Sequence, residues 1–332
     1  MSVDVGNVLD RKAGIVLTEE EKGELERVAA ELTDISPREI DDRVWVDAAR
    51  EFSARLPIRL RQTLRRFVRE PGADAMLLLR NLPVHSDVLP DTPSKAGSVQ
   101  RSTTLPASVL ALISLQLGEL TAFREEKHGA LVQDVVPVPG MEEFQGNAGA
   151  TQLTMHIENA FHPMRPDLVG LMCLRNDHDN VAGLRVASIR NALPLLSERS
   201  RAVLHEPRYV TAPPASFGDL GSLPEPHGIL SGARQDPDVK VDFTSTQPLD
   251  DEARHAMDEL GEAFAETRRT LVLEPGDLAY VDNRLALHGR TAFTPRYDGR
   301  DRWLQRVFVQ LDLRRSRPGR ADDGQVQSST DV

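Results

Sequence analysis

The sequence predicts an antiparallel double-sheet core, a jelly roll, buttressed by helices. Two patterns predict it. Helical stretches fill the N-terminal third, and short β-branched or apolar runs bounded by turn residues dominate from about residue 131 onward. One long helical insertion interrupts the β region before its final strands. No fixed-period repeat is visible, so a solenoid is not expected.

Each element has its own signal. Thr18 with Glu21 three residues later is a capping box, opening a helix to about Leu32. Two helices follow near 40–54 and 57–70, rich in Arg, Glu and Leu. Residues 75–80 are a short apolar run, read as a buried strand, and 108–117 fit a buried helix. Strands are expected around 131–137, 151–158, 168–175 and 183–188, then short helical turns over 189–204. A helix spans about 249–267, followed by strands near 269–273, 277–281 and 302–312. Residues 15–312 form one domain in this reading, with 1–14 and the polar 313–332 disordered. The stretch 212–228 carries Pro213, Pro214, Gly218, Gly221, Pro224, Pro226 and Gly228, and a loop of that length is read as a lid.

Composition narrows the function classes. The chain has 332 residues, enough to bury a sizeable core. Its net charge of −11 argues against a nucleic-acid or anionic-membrane partner. No run of eighteen apolar residues and no signal peptide is visible. Cys173, the single cysteine, reads as a buried strand residue; with no intramolecular disulfide possible, a reducing cytoplasm is expected. No obligate protein partner is evident.

The chemistry concentrates in His156-Ile157-Glu158 and in a distant His288. Two imidazoles and one carboxylate on one face of a metal leave other positions open, the facial triad of non-heme Fe(II) oxygenases. Thr151–Met155 reads as a strand, on which His156 and Glu158 share a face and Ile157 points away. Helical metal motifs space ligands i, i+4, and no HExxH occurs. His162 lies outside that geometry and is read as a second-layer or surface residue. Downstream, Leu273–Asn283 is a strand, a Pro-Gly turn and a strand that delivers His288. Arg302 follows His288 by fourteen residues, and Arg302 and Arg306, four apart, share a strand face. A guanidinium fork clamps a carboxylate by two parallel hydrogen bonds. Zinc would accept the same three ligands, so the ligands alone leave a hydrolase open.

At these residues the chain resembles the clavaminate synthase-like Fe(II)/2-oxoglutarate oxygenases. The resemblance covers nearly the whole chain and is densest in Gly129–Gly149, the His156 segment and His288–Val309, with Val281-Asp282-Asn283-Arg284 leading into His288-Gly289-Arg290. Within the family it most resembles the free-amino-acid hydroxylases of nonribosomal peptide pathways, those acting on L-asparagine above all. The resemblance implies a double-stranded β-helix fold and Fe(II) on His156, Glu158 and His288, with 2-oxoglutarate and O2 as cosubstrates. It implies Cβ hydroxylation of a free amino acid as a peptide building block. By the same resemblance Arg302 pairs with the distal carboxylate of 2-oxoglutarate, and Arg306 grips the substrate α-carboxylate. Spacing alone allows those two roles to be exchanged. Glu126 is implied for the substrate ammonium, Gln133 and Asn147 as polar pocket residues, and Asp242 for the substrate carboxamide. Asp242 sits in Val239–Phe243, read as an alternating strand. His128 and Ile157 depart from the nearest members, and His128 stands close enough to Glu126 in sequence to alter the pocket. Other free amino acids (Asp, Glu, Arg) remain alternatives, as does a jelly roll that binds without catalysis.

Overall fold

In the computed structural model, which describes residues 14–214, 217, 225–320 and 324–328, strand β1 (Ile15–Val16) leads into helix α1 (Glu19–Thr33). Both halves of the capping box form: Thr18 Oγ1 accepts from the Glu21 N–H, and the Glu21 carboxylate accepts from the Thr18 N–H. Next come α2 (Arg43–Ser53), α3 (Ile58–Arg69), β2 (Met76–Arg80) and α4 (Leu105–Leu117). α4 is apolar all round, so it is buried on every side, packed on α1, α2 and α3 and against the sheet below.

The β region then runs β3 (Glu119–Phe123), β4 (Gln133–Val135), β5 (Leu153–His156), β6 (Leu168–Arg175) and β7 (Gly183–Ser188). Short helices α5 (Ile189–Ala192) and α6 (Glu198–Leu204) precede β8 (Tyr209–Thr211), β9 (Leu230–Ala233), β10 (Asp236–Val239) and β11 (Thr246–Pro248). The long helix α7 (Asp251–Thr267) leads to β12 (Arg269–Val272), β13 (Leu278–Asp282), β14 (Ala286–Arg290), β15 (Trp303–Gln310) and β16 (Val326–Gln327).

Two sheets result. The major sheet has the order β1-β2-β13-β6-β15-β3-β16, with β4 also on β15; the minor sheet has the order β12-β7-β14-β5. The pairs at the centre of both are antiparallel. This is the expected double-sheet, helix-buttressed architecture.

Alternation along the central strands sorts side chains between two cores. On β13, Leu278 and Tyr280 face the helical layer, while Ala279 and Val281 face the minor sheet. On β15, Trp303, Val307 and Val309 face the helices, while Leu304 and Phe308 face the minor sheet. Arg302 and Arg306 share the parity of Leu304 and Phe308. Both guanidinium groups are thereby delivered, buried, between the sheets.

Three expectations are corrected. The tail is partly ordered: Leu313–Gly319 forms a 3-10 helix, and β16 runs parallel to β3. β3 offers an open edge, and the Ala122 and Arg124 N–H groups donate to Gln325 and Gln327 carbonyls at 3.1 and 2.9 Å. A polar composition hid this pairing. β10 ends at Val239, so Asp242 lies in a turn beyond it rather than on an alternating strand. The strand carrying His156 ends there, and Glu158 stands in the following turn. Most of the stretch read as a lid, and residues 1–13, lie outside the described residues.

Tyr280 ties the layers together. Fully buried, its hydroxyl shares a 2.7 Å hydrogen bond with Ser114 of α4. Ser114 keeps a second partner in the Leu110 carbonyl, so removing the phenol oxygen strands nothing. Tyr280→Phe is expected to destabilise by about 1 kcal/mol, read as a small fall in Tm; an unchanged Tm would remove this bond from the account.

Candidate active site

His288 lies on β14 and His156 on β5, and the two residues are register partners across the minor sheet. Their rings are 4.6 Å apart. Between His288 and Arg290 the register with β5 shifts, so that β5 bulges against Gly289. A Cβ on Gly289 would meet the Leu153 carbonyl oxygen at 2.7 Å and Met155 Sδ at 3.1 Å. Only glycine admits the bulge. His156 Nδ1 lies 2.9 Å from the Thr154 carbonyl, which fixes Nδ1–H as the donor and leaves Nε2 for a metal.

Glu158 reaches the same point from its turn. Asn159 adopts a left-handed backbone at φ 52°, which bends the chain away from the strand. Asn283, fully buried, clamps the Glu158 backbone: its Oδ1 accepts from the Glu158 N–H at 2.8 Å and its Nδ2 donates to the Glu158 carbonyl at 3.0 Å. Nδ2 also donates to the Pro166 carbonyl at 2.9 Å. Side-chain bonds thus replace the strand partner that sequence alternation predicted.

The donor set fits a divalent metal. Ligand atoms of His156, Glu158 and His288 all lie within 4.8 Å of one another. Glu158 Oε2 is buried, has no hydrogen-bond partner and lies 3.5 Å from His288 Nε2. Burial opposes ionisation of Glu158, but the Arg306 guanidinium and the two imidazoles outweigh it and hold the carboxyl far below its usual range. Burial likewise pushes His288 below its ordinary value, toward the neutral ring. Ionised carboxylate and neutral imidazole are the ligating forms.

Arg306 lies beside this triad. Its Nη1 donates to Glu158 Oε1 at 3.0 Å, and its Nη2 donates to Glu126 and Gln133. The Asn147 carboxamide, oxygen inward, accepts from Nη2 at 3.1 Å and Nη1 at 3.3 Å. Phe308 carries the guanidinium on its ring face, 4.5 Å from the centroid. Burial alone would lower the Arg306 pKa; Glu126 and Glu158 reverse that and raise it. The fold thus brings Glu126, Gln133, Asn147 and Arg306 together against the metal ligands.

Arg302 is different. It is buried at 5 % exposure, its Nε has no hydrogen-bond partner, and among the described residues it makes no ion pair. Burial holds its guanidinium below the ordinary value. Such a site suits an incoming carboxylate.

Asp242 lies next to His156, paired with it through an isolated backbone bridge. Its Oδ1 accepts from the Thr244 N–H at 2.8 Å, closing a local turn. His128 takes a left-handed conformation and is exposed, so it does not enter the pocket. His162 is buried rather than on the surface. Its Nδ1 accepts from the Met164 N–H at 2.9 Å, and Phe123 and Phe161 pack edge-on against the ring. Cys173 is buried, and burial pushes its thiol up to about 12, so it is no nucleophile.

Residues 73–308 match the family model described as taurine catabolism dioxygenase TauD, TfdA family. The chain belongs to that family. It is 52% identical to the L-asparagine oxygenase of Streptomyces coelicolor over 91% of both chains. It is 35% identical to clavaminate synthase 2 of Streptomyces clavuligerus, over 88% of this chain and 90% of the relative. Among solved structures, an asparagine oxygenase in complex with Fe(II), 2S,3S-3-hydroxyasparagine and succinate superposes with a TM-score of 0.92 at 50% identity. That match covers 95% of this chain and 99% of the other. The non-heme iron oxygenase OrfP, in complex with Fe and alpha-ketoglutaric acid, matches at 0.86 and 33% identity over 95% and 99% of the two chains. The chain is thus an iron- and 2-oxoglutarate-dependent oxygenase of the jelly-roll fold, and the binding-only alternative falls.

For this oxygenase, sequence reasoning missed Asn283 as an organiser of Glu158. The Val-Asp-Asn-Arg run was visible, but only the fold shows where its amide reaches. Asn283→Ala is expected to lower metal affinity by about 10- to 100-fold, since partners that orient ligands are worth that much. Titration of the metal-free variant with Fe(II) or Co(II) checks this, and wild-type affinity would refute the clamp.

Burial pushes His162 from the ordinary 6.5 down to about 4. A base with a lowered folded-state pKa takes its proton first in the unfolded chain. Folding stability is therefore lost as pH falls from about 6.5 toward about 4. His162→Asn, which keeps an acceptor for Met164, is expected to remove on the order of 2–3 kcal/mol of that acid destabilisation. Denaturant unfolding of metal-free protein across that window reads it; identical pH slopes in both proteins would exclude His162 as the cause.

Proposed function

We propose that this enzyme hydroxylates Cβ of free L-asparagine, with Fe(II) on His156, Glu158 and His288, 2-oxoglutarate on Arg302, and the amino acid on Arg306 and Glu126. The observation that carries the proposal is the buried Arg306–Glu126 ion pair beside the triad. A free amino acid is a zwitterion. Its carboxylate takes the place of Glu126 on the guanidinium, and its ammonium takes the place of the guanidinium on Glu126. Charge balance in the pocket is kept, which a buried site requires. Gln133 and Asn147, already on Arg306, are neutral acceptors that hold the guanidinium in position while its partner changes.

Iron bound at the triad, with 2-oxoglutarate and O2, supplies oxidation of a C–H bond to C–OH, with release of succinate and CO2. The protein's part is placement. Arg306 and Glu126 would fix the α-substituents beside Glu158 of the metal triad, which keeps the carbons next to Cα close to the metal. Phe308 and the surrounding apolar wall keep water from the guanidinium.

Asp242 supports asparagine over aspartate. Its turn is tied to His156, and Oδ1 is engaged by Thr244, which leaves Oδ2 to accept from a carboxamide N–H. A substrate carboxylate there would meet like charge. A cationic side chain would also suit Asp242, so arginine is the second reading. The product serves as a building block for nonribosomal peptide biosynthesis in this proposal, and the enzyme works in the cytoplasm, a setting that the free buried Cys173 suits. No helix among the described residues is long and apolar enough to cross a membrane.

The test is a competition assay with Fe(II), 2-oxoglutarate and O2. Asparagine, aspartate and arginine are mixed, and each hydroxylated product is quantified beside succinate. Asparagine is expected to dominate with wild type. Asp242→Asn is expected to shift the asparagine-to-aspartate ratio by about one to two orders of magnitude, the worth of a buried polar group left unpaired. A ratio unmoved by the substitution removes Asp242 from the pocket.

A further inference from the structure

We propose that Arg290 is a second cation for the distal carboxylate of the cosubstrate, acting with Arg302; the inference rests on the assignment of Arg302 made above. Arg290 ends β14, two residues after His288, and both side chains point from the minor sheet toward the interior. Arg302 and Arg306 point from the major sheet into the same space. Two tiers result. The metal ligands and Arg306 form one, and Arg290 and Arg302 form the other, displaced by two residues along β14, roughly 6.6 Å, and by four along the β15 chain. A five-carbon diacid held at the metal by its 2-oxo acid end reaches about that far.

Both guanidinium groups of the second tier flank one ring. Arg290 Cζ lies 5.2 Å and Arg302 Cζ 5.8 Å from the centroid of Phe293, which is itself buried. Arg290 is 4 % exposed, its Nε is buried without a partner, and its hydrogen bond runs from Nη2 to the Thr151 carbonyl at 3.0 Å. Neither arginine forms an ion pair with a carboxylate among the described residues. A lone buried cation is costly, and two side by side cost more unless an anion joins them. Arg306, buried in the same interior, has Glu126 and Glu158 beside it; Arg290 and Arg302 have no such anion among the described residues. The structural alternative, in which Arg290 serves only to hold Thr151, uses one of its five donors.

The test uses the Fe(II)-loaded protein under nitrogen, titrated with 2-oxoglutarate or with 2-oxopentanoate. The second ligand keeps the five carbons and the 2-oxo acid but lacks the distal carboxylate. Binding is read from the metal-to-ligand charge-transfer absorbance, without turnover. Arg290→Gln is expected to raise Kd for 2-oxoglutarate by about 10- to 100-fold while moving Kd for 2-oxopentanoate by less than about threefold, since the loss is of a charge-assisted contact to one carboxylate. An unchanged Kd for 2-oxoglutarate overturns the inference, as does an equal rise for both ligands with a lowered Tm. Should Arg290→Gln not fold, Arg290→Lys, which keeps the charge and loses the fork, is expected to raise Kd for 2-oxoglutarate alone by about three- to tenfold; no selective rise overturns the inference. Arg302→Gln runs in parallel. If it too fails to weaken 2-oxoglutarate selectively, the assignment of Arg302 falls; if it weakens 2-oxoglutarate and Arg290→Gln does not, only the role of Arg290 falls.

Discussion

A positive charge buried between two sheets is the constraint on which the site is built. Arg306 is placed there by the parity of β15 and cannot reach water. A buried guanidinium must be neutralised and its donors met, or it costs several kcal/mol. Glu158, Glu126, Gln133 and Asn147 meet it, and Phe308 covers its face. These neighbours come from four separate chain segments, so satisfying one charge fixes the relative positions of all four. The same charge holds Glu158 ionised, in the form a metal needs. Packing, electrostatics and ligand geometry are therefore one requirement seen from three sides.

The two ends of the interior differ in charge balance. Around Arg306 the protein supplies its own anions. Around Arg302 it supplies none among the described residues, and burial weighs against the cation. A net-neutral zwitterion can exchange into the first end without changing its charge. Only an anion relieves the second. On the proposed assignment, selection between amino acid and cosubstrate follows from where the carboxylates of the protein are and where they are missing, before any shape is considered.

How far the sequence disclosed this depended on whether a signal was local. The strands at 168–175 and 277–281 were legible as short apolar runs, because both faces of the major sheet are apolar. The capping box at Thr18 was legible because it lies within one turn. The His156, Glu158 and His288 set was legible as chemistry, yet the reason drawn from it was wrong in one respect. Glu158 shares its point with His156 through a turn bent at Asn159 and clamped by Asn283, 125 residues away in sequence. Strand periodicity carries no trace of a clamp at that distance. The tail differs from its sequence reading for the same reason: it is polar in composition, and what orders β16 is an open edge on β3 that composition cannot display. Val239 to Phe243 alternate and so read as a strand, but β10 ends at Val239 and the Asp242 side chain closes the turn that follows by accepting from the Thr244 N–H.

Asp242 occupies a different kind of position from the residues around Arg306. The residues proposed for the α-carboxylate and ammonium are seated on β4, β15 and the loops against them, all in the wall of the core. Asp242 instead sits on a turn outside both large sheets, held to the site by one backbone bridge to His156. A turn of that kind can change its side chain without repacking either core, whereas Arg306 cannot change without stranding Glu126 and Glu158. Relatives named for lysine and for ornithine or arginine hydroxylation retain 35% and 30% identity to this chain, and OrfP, solved with (3S)-hydroxy-L-Arg, keeps a TM-score of 0.86. On the proposed assignment, a fixed backbone clamp stands beside an exchangeable turn, an arrangement that lets one fold serve several amino acids.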